Sequence, residues 1–247
     1  PHYPYRASRE FVDAFLNDGY TPIEKPVDLF ARRESRNQPL KRRLYDEYLL
    51  YCDREFARLY NILETSGLLE NTWLVLTSDH GECFERGLAA HNIEALYQPV
   101  IRIPLMIFEP GRTTGMDVYE NSSAVDVLPT LAHVTGQPVP EWTEGIVLPP
   151  FSPHPAPDRN VHSVRAIHVH RHDPITVGTL IQVRENYKLH YYFGYGETPE
   201  DLVKLYDIRS DPEEMNDLAK VKPETAAEML NELKMKLKEA DAPYQKS

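Results

Sequence analysis

Apolar residues recur at helical spacing in four stretches of the chain. The longest stretch covers 40–65 and is followed by the stop signal Ser66-Gly67. Its apolar positions lie three or four residues apart: Leu44, Tyr48, Cys52, Phe56, Leu59 and Leu63. The same spacing predicts shorter helices over 8–18, 123–134 and 223–240.

Two short runs, 72–77 (TWLVLT) and 103–108 (IPLMIF), are almost wholly apolar. Such runs are typical of strands that are buried on both faces of a parallel sheet. The last third of the chain has three β-rich runs, at 161–169, 175–183 and 187–193, with turn residues between them. These runs predict an antiparallel sheet.

The order of these elements indicates an α/β fold: a mostly parallel sheet between helices, followed by a small antiparallel sheet and a C-terminal helix. The stretch 137–159 between the two parts is rich in proline. We therefore predict one domain over 1–150 and a small C-terminal subdomain over 151–247.

Composition narrows the class of protein. The chain has 247 residues, enough for a sizeable core, and a formal net charge of -11. That charge argues against nucleic acid as a partner, and no run is long and apolar enough for a membrane helix. Two cysteines permit one disulfide at most. Neither the compartment (cytoplasmic, periplasmic or secreted) nor the oligomeric state follows from these values.

Candidate metal-binding residues follow the first apolar run, in the segment "SDHGE". Asp79 and His80 stand just past the end of a predicted strand, where ligands bind in open α/β sheets. A carboxylate oxygen and an imidazole nitrogen can share one metal ion, and Gly81 lets the backbone turn away. The alternative is that Asp79 caps the turn and His80 is a surface residue.

Several motifs, in the correct order, resemble the sulfatase branch of the alkaline phosphatase superfamily. The resemblance covers essentially the whole chain. The motifs are "PHYPY" at the start, "TSDHGE", His91, "LYQPVIRIPLMIFEPG", "SSAVDVLPTLAHVTGQPVP", "EGIVLPPF" and "LYDIRSDPEEMNDLA" at 205–219. The resemblance implies an alkaline phosphatase-like fold and a metal-dependent hydrolase of sulfuric esters.

The resemblance also implies roles for four residues. Asp79 and His80 match ligands of a single divalent cation, for which Ca²⁺ is expected and Mn²⁺ is the alternative. His91 and His2 match catalytic positions: His91 assists the leaving group, and His2 binds the sulfuryl oxygens. The implied substrate is a small-molecule or carbohydrate sulfate ester.

The family's nucleophile motif, C/S-x-P/A-x-R, is absent from this chain. Neither Cys52 nor Cys83 has the required neighbours. Because the chain begins at the "PHYPY" motif, without Met, we expect residues before Pro1 that carry a formylglycine nucleophile and an Asp-Asp pair. Two alternatives stay open: a phosphodiesterase or phosphonate monoester hydrolase of the same superfamily, and a truncated, non-catalytic protein.

Two further patterns have ordinary structural interpretations beside functional ones. His162, His168, His170 and His172 alternate along a predicted strand and either line one face of the antiparallel sheet or bind metal. The acidic run 210–214 is predicted to begin a helix, since acids are favourable at helix N-termini.

Overall fold

The computed structural model describes residues 2–23, 37–88, 91, 93–152, 159–167, 173–196 and 201–244. The α-helices are α1 (Gln38–Thr65), α2 (Gln98–Ile101), α3 (Val127–Val134) and α4 (Pro223–Asp241). The strands are β1 (Leu74–Thr77), β2 (Leu105–Phe108), β3 (Val161–Ala166), β4 (Gly178–Arg184), β5 (Tyr187–Phe193) and β6 (Leu202–Asp207). Short 3-10 helices cover Arg9–Phe11, Leu68–Asn71, Ala124–Asp126 and Ala242–Tyr244.

The three longest α-helices confirm the helices predicted over 40–65, 123–134 and 223–240. α1 begins with a proline in its first turn, where the missing N–H costs nothing. The chain leaves the helix through Gly67, whose φ of 75° lies in the left-handed region that glycine tolerates.

The predicted helix over 8–18 is wrong. Only one 3-10 turn forms, at Arg9–Phe11, and Asp13 has a φ of 68°. In that conformation the Asp13 N–H donates to a carboxylate oxygen of Glu47 at 2.9 Å. Glu47 lies on α1 and is only 1 % exposed, so its buried charge needs such donors. A tertiary hydrogen bond has therefore overridden the local helical pattern.

The chain forms two compact units. The first comprises Pro1–Ile93 and Pro99–Gly115, and the second comprises Glu94–Gln98 and Met116–Ser247. The sequence pattern placed the domain boundary at residue 150, and that boundary stays a prediction.

In the first unit, β1 and β2 form a two-stranded sheet against α1. The two strands pair antiparallel, with Leu74 opposite Phe108 and Thr77 opposite Leu105. The rings of Phe56 and Tyr60 on α1 lie 5.8 and 5.5 Å from that of Phe108. Both predicted apolar strands therefore form, but their mutual pairing is antiparallel, which the apolar runs did not indicate.

In the second unit, four antiparallel strands have the order β3-β4-β5-β6. The sheet confirms the predicted antiparallel arrangement and adds β6, which lies inside the motif-bearing C-terminal stretch. One face of the sheet packs against α4 in a cluster of buried apolar residues: Leu180, Leu189, Tyr191, Phe193, Leu205, Ala226, Met229 and Leu233. Burial of this apolar face attaches the helix to the sheet.

The opposite face of β5 carries polar side chains at alternate positions: Lys188, His190 and Tyr192. Lys188 and His190 are both within 2.8 Å of the Glu214 carboxylate, and all three side chains are fully buried. The predicted helix start at 210–214 is wrong, because these residues form turns and Glu214 has a φ of 51°. Glu214 is an interior ion-pair partner.

The alternating histidines are only partly described. His162 lies on β3 at an exposed position. His168, His170 and His172 lie outside the described residues. Within the described part of the chain, no helix is long and apolar enough to cross a membrane.

Candidate functional site

The turn after β1 is fixed by hydrogen bonds on both sides of Asp79 and His80. Thr77 Oγ1 donates to the Pro104 carbonyl at 2.8 Å, and Ser78 Oγ donates to the His80 carbonyl at 3.0 Å. The Gly81 N–H donates to the Val100 carbonyl at 2.8 Å.

Glycine is required at position 81 by a close approach of two backbone segments. A Cβ there would lie 2.1 Å from the Pro99 carbonyl oxygen, well inside van der Waals contact. Only glycine therefore lets the backbone pass α2 at this distance and hold the preceding acid and imidazole in place.

Asp79 and His80 present their donor atoms side by side. His80 Nδ1 lies 2.9 Å from the Gly81 carbonyl oxygen. A carbonyl only accepts, so Nδ1 carries the proton and Nε2 of the neutral ring has a lone pair. That Nε2 is 3.8 Å from Asp79 Oδ1. Hydrogen bonds from its own backbone N–H and from the backbone N–H of His80 lower the pKa of Asp79, so its exposed carboxylate is anionic at neutral pH.

Two histidines that are distant in sequence join this pair. The His91 ring stacks on that of His80, with 3.9 Å between centroids. The His2 ring lies 5.4 Å from His91 and 6.4 Å from His80. The first unit thus brings together all four residues singled out from the sequence, from the chain start, the turn after β1 and the loop beyond it.

Sequence reasoning missed two residues behind His91. Both carboxylate oxygens of Glu82 lie 3.1–3.2 Å from His91 Nδ1. The Tyr5 hydroxyl donates to Glu82 Oε2 at 2.9 Å. Both residues lie inside the quoted motifs "SDHGE" and "PHYPY", but sequence position does not tell which polar side chain of a motif turns inward.

An aromatic cluster holds this pair in place. The Tyr5 ring packs against Tyr45 of α1 and against Phe84, at 5.3 and 6.1 Å between centroids. Burial, followed by the hydrogen bond to Glu82, raises the pKa of Tyr5. The hydroxyl therefore stays protonated and acts as a donor to the carboxylate.

The donor set fits part of a metal site. Ligand atoms at about 2.0–2.6 Å from one ion lie roughly 3–4 Å from each other, and the Asp79 and His80 donors are 3.8 Å apart. Among the residues that the structure describes, no group of three or more His, Cys, Asp or Glu side chains is arranged to hold a metal ion. A complete ligand shell would need further donors.

Neither cysteine is placed as a nucleophile. Cys83 is fully buried, and burial raises the pKa of its thiol to about 11. Cys52 is half-buried on α1. A thiol whose pKa is so high is mostly protonated at neutral pH and is a poor nucleophile.

The fold class is shared with hydrolases of known structure. The phosphonate monoester hydrolase SpPMH from Silicibacter pomeroyi superposes with a TM-score of 0.73 over 99% of this chain and 55% of its own, at 16% identity. Identity that low shows the fold alone. The chain has the predicted α/β fold, of the alkaline phosphatase-like type.

Sequence comparison narrows the class to one family. The family model Sulfatase matches residues 1–137, and the model N-sulphoglucosamine sulphohydrolase, C-terminal, matches residues 90–242. The chain belongs to the sulfatase family, as the motifs predicted.

Two similar proteins show how much of a sulfatase this chain represents. A choline-sulfatase of Rhizobium meliloti (strain 1021) is 27% identical over 241 residues, which cover 89% of this chain and 44% of the relative. The structure of BT4656 in complex with its substrate D-glucosamine-2-N,6-O-disulfate is 27% identical, with a TM-score of 0.60, and covers 83% of this chain and 42% of its own. The chain therefore spans less than half the length of these relatives.

Proposed function

We propose that this chain is part of a metal-dependent sulfuric ester hydrolase. The observation that carries the proposal is the convergence of Asp79, His80, His91 and His2 on one small region of the first unit. Membership of the sulfatase family supports it. The nucleophile, a formylglycine, would lie N-terminal to this chain.

Asp79 and His80 would hold a divalent cation, with Ca²⁺ expected and Mn²⁺ as the alternative. The anionic Asp79 carboxylate and the Nε2 lone pair of His80 suit this role, and the remaining ligands would come from outside the described residues. A bound cation would supply charge stabilisation for the non-bridging oxygens of the ester.

The two remaining histidines would act on the ester itself. His2 would bind a non-bridging oxygen, since an imidazole N–H is a hydrogen-bond donor. His91 would donate a proton to the leaving oxygen as its bond to sulfur breaks, which a histidine can do near neutral pH. Its side chain is 22% exposed, so it is within reach of a ligand. The substrate would be a sulfated small molecule or carbohydrate, as in the two relatives.

A phosphonate monoester or phosphodiester hydrolase is the second candidate. The fold likeness to SpPMH favours it, and the same residues would serve that chemistry. The sulfate ester is preferred because the matching family model is Sulfatase, a relative at 27% identity is a choline-sulfatase, and the substrate bound to BT4656 is a sulfated sugar.

The test uses the full-length protein encoded by the gene that contains this chain. We expect turnover of an aryl sulfate that a chelator removes and Ca²⁺ restores. His80→Ala should reduce both turnover and bound metal, measured by elemental analysis of the purified protein. His133→Ala, which removes an exposed histidine on α3, is the matched control. Faster turnover of a phosphonate monoester would favour the second candidate, and no turnover of either ester would support a non-catalytic protein.

A further inference from the structure

The Glu82 carboxylate is buried behind the site, and its neighbours explain how it tolerates burial. Its side chain is only 4% exposed, against 22% for His91 and 88% for Asp79. A buried carboxylate is costly unless its oxygens are hydrogen-bonded. Here Tyr5 supplies one donor and His91 Nδ1 the other.

These contacts determine which nitrogen of the His91 ring faces Glu82 and carries a proton. An ionised carboxylate only accepts hydrogen bonds, so the Nδ1 that faces Glu82 carries a proton. Nε2 is then the nitrogen through which the ring can act on a ligand. A carboxylate at Nδ1 also orients the imidazole ring in hydrolases that use histidine for proton transfer.

A role for Glu82 as a metal ligand fits the structure less well. Both of its oxygens point to His91, and one also accepts from Tyr5. Its low exposure places it behind the histidine, whereas Asp79 extends into solvent.

We propose that Glu82, held in place by Tyr5, is the positioning residue of His91: its carboxylate holds Nδ1 and so directs Nε2 away from Glu82, for donation to the leaving oxygen. The inference rests on the proposed hydrolase function and adds two residues to it. In the step concerned, an oxyanion of the nucleophile expected outside this chain forms a bond to sulfur, while the bond from sulfur to the leaving oxygen breaks and its electron pair stays on that oxygen. The oxygen takes the His91 Nε2 proton, and the ring remains as a neutral imidazole hydrogen-bonded to Glu82.

The experiment compares two aryl sulfates in the full-length protein. The 4-nitrophenyl ester has an acidic leaving group that needs little proton donation, and the 4-methylphenyl ester has a basic one that needs more. We expect Glu82→Gln to lower kcat/KM at least about 10- to 100-fold for the 4-methylphenyl ester, the range found when the carboxylate partner of a metal-bound histidine is lost. The loss for the 4-nitrophenyl ester should be about threefold or less.

Three further variants separate positioning from a general loss of structure. Tyr5→Phe keeps the ring but removes the donor to Glu82, so it should show the same ester dependence to a smaller degree. Tyr60→Phe, also on α1 but packed against Phe108 outside this cluster, should leave both esters unaffected. His91→Ala should show the strongest ester dependence, and adding Glu82→Gln to it should cause little further loss.

The outcomes distinguish this inference from the function on which it rests. If the wild type hydrolyses aryl sulfates but Glu82→Gln and Tyr5→Phe slow both esters equally, the positioning role is wrong and the hydrolase stands. If Glu82→Gln still slows the 4-methylphenyl ester when His91 is already alanine, Glu82 acts by another route. If only phosphonate monoesters are hydrolysed, the same comparison is made with the 4-nitrophenyl and 4-methylphenyl esters of a phosphonate. Absence of all turnover overturns both proposals.

Discussion

The buried ion pair of Glu214 gives the sharpest stability prediction for the second unit. Lys188 Nζ and His190 Nε2 each lie 2.8 Å from Glu214 Oε1, and the Gln98 N–H donates to Oε2 at 2.7 Å. Replacing Glu214 by Gln removes the negative charge while Lys188 stays fully buried. Breaking one side of a buried ion pair costs about 3–5 kcal/mol.

The pKa of Glu214 gives a second value for the free energy that this ion pair contributes to folding. Burial alone would raise it, but the Lys188 charge and the hydrogen bond from His190 outweigh burial and lower the pKa from 4.5 to about 2. At about 1.4 kcal/mol for each pKa unit, this corresponds to about 3 kcal/mol. Because the folded-state pKa is lowered, this contribution is complete above pH 4.5 and is lost as the pH falls through about 2.

The assay is native-state hydrogen exchange of the β5 amides, which reports the free energy of opening this sheet. At pH 7 we expect Glu214→Gln to lower it by about 3 kcal/mol. The gap to wild type should narrow as the pH falls from 5 towards 2, read from equilibrium unfolding at each pH. Glu239→Gln, at an exposed position of α4, is the control and should change stability by less than about 0.5 kcal/mol.

A double variant tests whether the buried charge of Lys188 causes the loss of stability. Adding Lys188→Met to Glu214→Gln removes the buried positive charge that has lost its Glu214 partner and should recover at least half of the lost stability. A loss in Glu214→Gln of less than about 1 kcal/mol, or a gap that does not change with pH, would refute the assignment of a buried, charged pair.

Two further predictions concern the first unit. Gly81→Ala should sharply reduce folded yield or unfold the turn that carries Asp79 and His80, because the added Cβ would lie 2.1 Å from the Pro99 carbonyl oxygen. Gly115→Ala is the control, since nothing lies within 4 Å of its added Cβ, and it should retain the wild-type melting temperature. Equal melting temperatures for the two variants would contradict the close approach. Cys83 should resist alkylation by iodoacetamide at pH 8 in the native protein and should react after unfolding, since it is fully buried with a pKa of about 11. If mass spectrometry shows that Cys83 in the native protein is labelled as fast as an exposed free thiol, its burial is disproved.

Much of the architecture was readable from the sequence because it depends on local periodicity. The helical spacing of apolar residues predicted α1, α3 and α4, and the β-rich runs predicted three of the four strands of the C-terminal sheet. The motifs also indicated the sulfatase family, which the family models show. The roles of Asp79, His80, His91 and His2 stay predictions, although the structure brings the four side chains together.

The sequence failed where a distant partner decides the local conformation. The periodic pattern over 8–18 predicted a helix, but the buried Glu47 carboxylate takes the Asp13 N–H in a left-handed turn. The acidic run at 210–214 suits a helix N-terminus, yet Glu214 turns into the interior to meet Lys188 and His190. In both cases a buried charge requires specific partners, and that requirement exceeds the small preference of the local sequence for a helix.

The sequence by itself determined the three long helices, five of the six strands in the described part of the chain and the family to which the chain belongs, because these depend on short-range patterns and ordered motifs. Only the tertiary structure decided that Tyr5 and Glu82 stand behind His91, and that β1 and β2 pair antiparallel. Contacts between residues far apart in the chain depend on how the elements pack, because packing selects which polar side chain is buried and which faces the ligand.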